Sequence, residues 1–169
     1  QNYSWAFDGD KRNTLLRDVF SRDTQRDMDQ PYTRSRYYHL YINGQFWGLY
    51  QSEERPEASF GELYLGGTKD DYDVIKAAGP NAGYTVEATY GQMAAYRALW
   101  EAAAGGFNTD EPYYLIQGLY PDGTPNPAYP KLLDRDNLID YMLCTFYTGD
   151  FDGPISKFLG NNRANNFYA

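Results

Sequence analysis

The sequence predicts an α+β domain, with a β-hairpin in its first half and helices dominating its second. Three stretches carry that prediction. Residues 36–50 read as strand, turn and return strand around Asn43 and Gly44, a pair that accepts the positive φ angles of a type I′ turn. Residues 86–104 place Thr89, Met93, Tyr96, Trp100 and Ala103 at steps of four and three, which predicts a helix with one packing face. Residues 136–147 repeat that pattern with Leu138, Ile139, Met142, Leu143 and Phe146, and predict a buried helix that runs into a tight acidic loop.

In chain order, residues 1–9, with Trp5 and Phe7, are expected to be extended, and Asp8-Gly9-Asp10 is a turn signal. A helix is expected from Asn13 to Met28, capped by Asn13 or Thr14, with Leu15, Leu16, Val19 and Phe20 on one face. Its other face alternates Arg17, Asp18, Arg22, Asp23, Arg26 and Asp27, the pattern of a solvated surface. Pro31 ends that region. After the hairpin, Pro56 stops any regular ladder because it lacks the N–H a ladder needs. Gly66-Gly67 marks a turn, and residues 71–76 read as a short strand. A loop through Gly79, Pro80 and Asn81 precedes the 86–104 segment, which Gly105-Gly106 closes. Residues 107–133 are rich in Pro, Gly, Asn and Asp and read as connection, with one helical turn near 113–117. Asp134 or Asp136 caps the last helix, and Thr148-Gly149 breaks it. Phe167-Tyr168 reads as the start of another strand.

Composition limits the function classes. Of 169 residues, 18 are Tyr and 9 are Phe, which favours a folded protein over a disordered one. A net charge of −8 repels phosphate, and so disfavours nucleic acid or an anionic membrane as partner. The same charge is compatible with divalent cations near clustered carboxylates. No apolar run approaches the roughly 20 residues a membrane span needs. Cys144 is the single cysteine, so no intrachain disulfide forms, and its place on an apolar helix makes it a core residue. The Tyr-, Asn-, Gly- and Asp-rich composition points to a secreted or surface protein. A first residue of Gln rather than Met points to a processed or excerpted chain.

Several residue types suit phosphate and magnesium chemistry. A lysine neutralises phosphate oxygens, an aspartate accepts the proton of an attacking hydroxyl, and an asparagine carbonyl with a second aspartate holds the metal. The candidates are Lys76 at a strand end, Asp150 and Asp152 in the acidic loop, and Asn165 or Asn166 after it. By spacing alone these positions also fit a solvated lysine, loop carboxylates satisfied by backbone N–H groups, and turn asparagines. His39 is the only histidine and reads as a strand packing residue, so zinc and Cys–His chemistry lack their ligands. There is no G-x-S-x-G and no Walker loop. Glu53 and Glu54 make a poor glycosidase pair, because neighbours in a strand face opposite ways. Exposed Tyr and Trp leave a carbohydrate-associated module as a further reading.

Two blocks together carry a family resemblance. Tyr41-Ile-Asn-Gly-Gln-Phe-Trp-Gly-Leu-Tyr50, followed by Glu53-Glu54-Arg55, resembles the LYLNG-x-YWGLY…ER block of the spore coat protein H (CotH) kinase-like family. Asp136-Asn-Leu-Ile-Asp-Tyr, then Thr148-Gly-Asp-Phe-Asp-Gly-Pro, then Asn165-Asn-Phe-Tyr, resembles that family's D-x-N-L-x-DY…GN-x-D…N-x-Y block. The resemblance implies an atypical protein-kinase-like two-lobe fold. Residues 1–106 or so would form the hairpin-bearing N-terminal lobe, 107–133 a loop-rich connection, and 134–169 the start of a helical C-terminal lobe.

The resemblance also implies serine phosphorylation of a protein substrate, using ATP and Mg²⁺, by a secreted, cell-surface or spore-coat transferase. Asp152 matches the catalytic aspartate, Asn166 the metal-binding asparagine and Lys76 the phosphate-binding lysine. Asp150, where the family usually has asparagine, is expected beside the metal. Glu53 or Glu54 matches a family glutamate on the cofactor side. The spacing from Asp152 to Asn166 is longer than the family's. Its W-D-x-D segment, with a second metal aspartate, would follow Tyr168, which implies a domain truncated at its C-terminus. The alternative is a non-catalytic surface or matrix protein that keeps the fold as a binding module.

Overall fold

The computed structural model describes residues 15–79, 83–150, 152–154 and 163–169. The expected strand at 1–9, its Asp8-Gly9-Asp10 turn, the Asn13 or Thr14 cap and part of the loop at Pro80-Asn81 lie outside those residues. The chain is α+β and divides into two compact units, Gln1–Arg55 and Pro56–Ala169.

The first unit contains helix α1 (Arg17–Asp27) and the antiparallel strands β1 (Ser35–Ile42) and β2 (Gln45–Glu53). The hairpin forms where the turn chemistry dictates. Asn43 and Gly44 have φ of 51° and 82°, and Ile42 pairs with Gln45 across them. The ladder slips by one residue between Leu40 and Tyr41. Around that bulge Phe46 meets the rings of Tyr41 and His39 edge-on, with centroids at 5.5 and 5.7 Å. His39 is therefore an exposed strand residue packed on one aromatic neighbour. The charged face of α1 departs from simple solvation. Arg26 does pair with Asp23 and Asp27, but Arg22 crosses to Glu53 on β2 at 2.8 Å. The Tyr37 hydroxyl donates to the Leu15 carbonyl just before α1.

The second unit contains α2 (Ala58–Tyr64), β3 (Val74–Ala77), β4 (Val86–Tyr90), α3 (Ala94–Ala104), α4 (Asp110–Leu115) and α5 (Arg135–Tyr147). Residues 86–104 are not one helix, as their spacing suggested, but a strand followed by a helix. Gly91 sits between them at φ 69°, and a Cβ there would lie 2.1 Å from Asp73 Oδ1. The alternation Val86-Glu-Ala-Thr-Tyr90 suits a half-buried strand, and β4 pairs antiparallel with β3. The helical turn expected near 113–117 lies slightly earlier, in α4. Gly105 and Gly106 end α3 as expected, with Gly106 at φ 80°.

The chain's last residues pair along the free edge of β3 through an isolated antiparallel bridge, Lys76 with Tyr168. Ile75 and Ala169 exchange both backbone hydrogen bonds at 2.8 Å, and Ala77 N–H donates to Phe167 O at 3.1 Å. The order is therefore β4, β3, then 167–169. Val74, Ile75 and Ala78 are buried, as are Ala58, Ile116 and Cys144. Gly61 on α2 permits close packing, because a Cβ there would sit 2.6 Å from the Tyr72 ring.

Helix α5 corrects the sequence reading in one respect. Its start is as expected, with the Asp134 side chain accepting from Asn137 N–H at 3.2 Å. Its apolar stripe, however, is not the packed face. Leu138, Ile139, Leu143 and Phe146 are exposed, and Cys144 is the buried residue. The half-buried positions beside it are Tyr141, Met142 and Thr145. Helical periodicity identifies a stripe but does not say which stripe meets a neighbour.

The cap has a pH signature. The Asn137 N–H and then the Lys131 ammonium hold the Asp134 carboxyl below its usual 3.8. A carboxyl whose pKa falls on folding stabilises above its ordinary value, and that contribution is lost as pH falls through the lower one. Asp134→Ala is expected to cost about 0.5–2 kcal/mol near neutral pH. In thermal unfolding the gap from wild type should close as the pH drops below 3.8.

Candidate functional site: the loop after helix α5

Helix α5 ends in Tyr147-Thr148-Gly149, and the chain reverses there because Gly149 adopts φ 64°. Thr148 Oγ1 donates back to Cys144 O at 2.9 Å, and Asp150 N–H donates to Thr145 O at 3.1 Å. Asp150 Oδ1 then accepts from Asp152 N–H at 3.0 Å. Such a side-chain-to-backbone bond two residues on closes an Asx turn. Gly153 is buried beneath it, and a Cβ there would meet Thr145 Cγ2 at 3.2 Å and Asp150 Oδ2 at 3.4 Å. The Thr-Gly-Asp-x-Asp-Gly order thus does three things: it ends the helix, ties the turn and seats it on Thr145.

The segment 163–169 returns to this loop. Asn165 is buried, and its Nδ2 lies 2.9 Å from Asp152 O and 3.0 Å from Asp152 Oδ1. Asn166 is exposed, takes a left-handed φ of 39°, and its Nδ2 donates to Asp152 O at 2.6 Å. Its carboxamide oxygen is the acceptor end of the same group. Two residues on, Tyr168 pairs with Lys76 of β3. That pair lies next to the doubly bonded Ile75–Ala169 pair, so it is a non-hydrogen-bonded position with Cα atoms about 4.5 Å apart. Adding two residues of chain, at most about 7 Å, puts Asn166 within about 12 Å of Lys76.

Lys76 itself lies between Tyr168 on one side and Glu87 of β4 on the other, with Nζ 3.3 Å from Glu87 Oε1. Both groups of that ion pair are partly exposed, so it is worth only about 0.2–1 kcal/mol. Tyr141 borders the loop from α5. Burial first, then the nearby Asp150 and Cys144, pushes its phenol up to about 12, so it remains a neutral hydroxyl near Asp150.

The fold therefore gathers four of the expected residues, Lys76, Asp150, Asp152 and Asn166, into one unit. Glu53 and Glu54 sit in the other unit, each engaged with an arginine. Glu53 pairs with Arg22 at 2.8 Å, and Glu54 accepts from Arg34 N–H at 2.8 Å with the Arg34 guanidinium 3.7 Å away. Sequence reasoning missed Glu87, because it lay inside the segment misread as helix. The alternation of 86–90 was the signal that could have found it.

Among the described residues no three His, Cys, Asp or Glu side chains converge on one point. What the loop offers is two carboxylates and carboxamide oxygens. Such an all-oxygen set fits Mg²⁺, which keeps several waters and binds through one or two carboxylates plus substrate phosphates. It does not fit zinc. No helix among the described residues is long and apolar enough to cross a membrane. Neither a curated protein nor a solved structure matches the chain. A family model described as CotH kinase protein matches residues 8–168, nearly the whole chain, and the protein belongs to the CotH kinase family.

Proposed function

We propose that the protein is an ATP- and Mg²⁺-dependent kinase that phosphorylates serine on a secreted, surface or spore-coat protein, built as a two-lobe kinase-like fold. One observation carries this reading: Asn165 and Asn166 clamp Asp152, and Tyr168, two residues on, pairs with Lys76. The carboxylate, the asparagines and the lysine are the parts phosphoryl transfer uses, and catalysis of that reaction is mostly positioning plus charge neutralisation.

In this reading Asp152 accepts the proton of the serine hydroxyl as its oxygen bonds to the terminal phosphorus of ATP. The bond from that phosphorus to the bridging oxygen breaks, and ADP leaves. Lys76 neutralises phosphate oxygens, with Glu87 paired to its ammonium. Asn166, through its carboxamide oxygen, and the Asp150 carboxylate would hold Mg²⁺. The metal would supply neutralisation of phosphate charge. The cofactor-side role of Glu53 and Glu54 rests on family resemblance; within the hairpin unit they hold Arg22 and Arg34.

Calorimetric titration with ATP and MgCl₂ tests the proposal. Saturable binding that needs the metal and weakens in Asp150→Ala is expected. Absence of binding, or binding indifferent to that substitution, overturns it. A second reading, a non-catalytic surface or matrix module, draws on the exposed aromatics of the hairpin, among them Tyr38, Tyr41, Phe46 and Trp47. That reading gains if ATP does not bind.

A further inference from the structure

We infer that Asn165 is a positioning residue for the Asp152 carboxylate, with a role separate from that of its neighbour Asn166. The inference rests on the reading of Asp152 as the base. The two asparagines are adjacent in sequence but differ in burial: Asn165 is 6% exposed, whereas Asn166 is on the surface. They also differ in what they hold.

Asn166 Nδ2 reaches the Asp152 backbone carbonyl. Asn165 Nδ2 reaches that carbonyl, the carboxylate Oδ1 and, at 3.4 Å, the Gly153 carbonyl. A carboxamide nitrogen has two hydrogens, so three acceptors share two donors. With one donor directed at the backbone and the other at the carboxylate, both the loop conformation and the side-chain rotamer of Asp152 are set by one buried group. Among the described residues, Asn165 is the side chain that bonds the Asp152 carboxylate. The Asp150 side chain, by contrast, accepts from the Asp152 backbone N–H.

Burial makes this strict. A desolvated carboxamide that loses its acceptor pays the full desolvation cost, so the contact is retained rather than exchanged with water. Asn165 is set back inside the fold, so it fixes where the proton acceptor points without meeting the nucleotide. The division of labour gives separable kinetics. Asn165→Ala is expected to lower kcat on the order of 10²-fold, the scale of a roughly 1 Å misplacement. The MgCl₂ concentration for half-maximal rate should stay within about twofold of wild type, since binding and chemistry report separately. Asn166→Ala should instead raise that MgCl₂ requirement. A kcat for Asn165→Ala close to wild type, or a changed metal requirement like that of Asn166→Ala, overturns the inference.

A second measurement works without turnover and covers failure of the alanine variant to fold. The side-chain carboxamide ¹H–¹⁵N signals of Asn165 are recorded in wild type and in Asp152→Ala. They are expected to exchange slowly with solvent in wild type and to shift more than those of any other asparagine in the variant. Signals that exchange fast or do not move overturn the inference. If the protein transfers no phosphate at all, the kinase reading fails while this measurement still decides the Asn165–Asp152 contact.

Discussion

Asp152→Asn is expected to remove serine phosphorylation by about 10²–10⁴-fold, the usual worth of a positioned general base. The fold should survive the change. The carboxamide oxygen keeps an acceptor for Asn165, and the Asx turn uses Asp150 Oδ1 and the backbone N–H of residue 152, both untouched. Transfer of labelled terminal phosphate from ATP to a serine-containing peptide measures the loss, and thermal unfolding checks the fold. The discriminating result is a large drop in transfer at an unchanged unfolding midpoint. Transfer within a few-fold of wild type would show that the proton goes elsewhere.

Lys76→Met carries the second large effect, and its comparison with Glu87→Gln makes it informative. Removing an ammonium that bonds phosphate oxygens forfeits a charged hydrogen bond of about 1.5–3 kcal/mol. That corresponds to a fall in kcat/KM for ATP on the order of 10–10²-fold. Glu87→Gln should do much less, because an exposed pair is worth about 0.2–1 kcal/mol. It should also make the reaction less sensitive to salt, since the pair it removes is one that ions screen. Steady-state kinetics at two ionic strengths tests both substitutions. Equal losses for the two would mean that Glu87 itself meets the nucleotide.

The sequence was most legible where structure is made locally. Asn43-Gly44 sets the hairpin by turn chemistry within four residues, and Asp134 and Gly149 mark the ends of α5 through their own backbone preferences. Longer-range features were hidden. The strand Val86–Tyr90 owes its state to pairing with β3, a partner across a loop, while Thr89, Met93 and Tyr96 happened to fall at helical steps. The packed side of α5 is built on Cys144 and Thr145, with Tyr141 and Met142 beside them, rather than on leucines, and Thr145 meets the turn at Gly153.

The candidate site followed the same rule. Asp150 and Asp152 stood out because an acidic loop after a helix is a local pattern. The choice between Asn165 and Asn166 did not, since only burial separates them. Glu87 became visible only once β4 did.

The three backbone hydrogen bonds joining 167–169 to β3 have a consequence for how this site tolerates change. Side chains alternate along a strand, so a slip of one residue there would turn Tyr168 away from Lys76 and pull Asn166 off the Asp152 carbonyl. The segment is thus a ruler: the gap between cation and carboxylate is counted in residues rather than left to a hinge. A single deletion between Asn166 and Ala169 should be as damaging as the loss of either charged group.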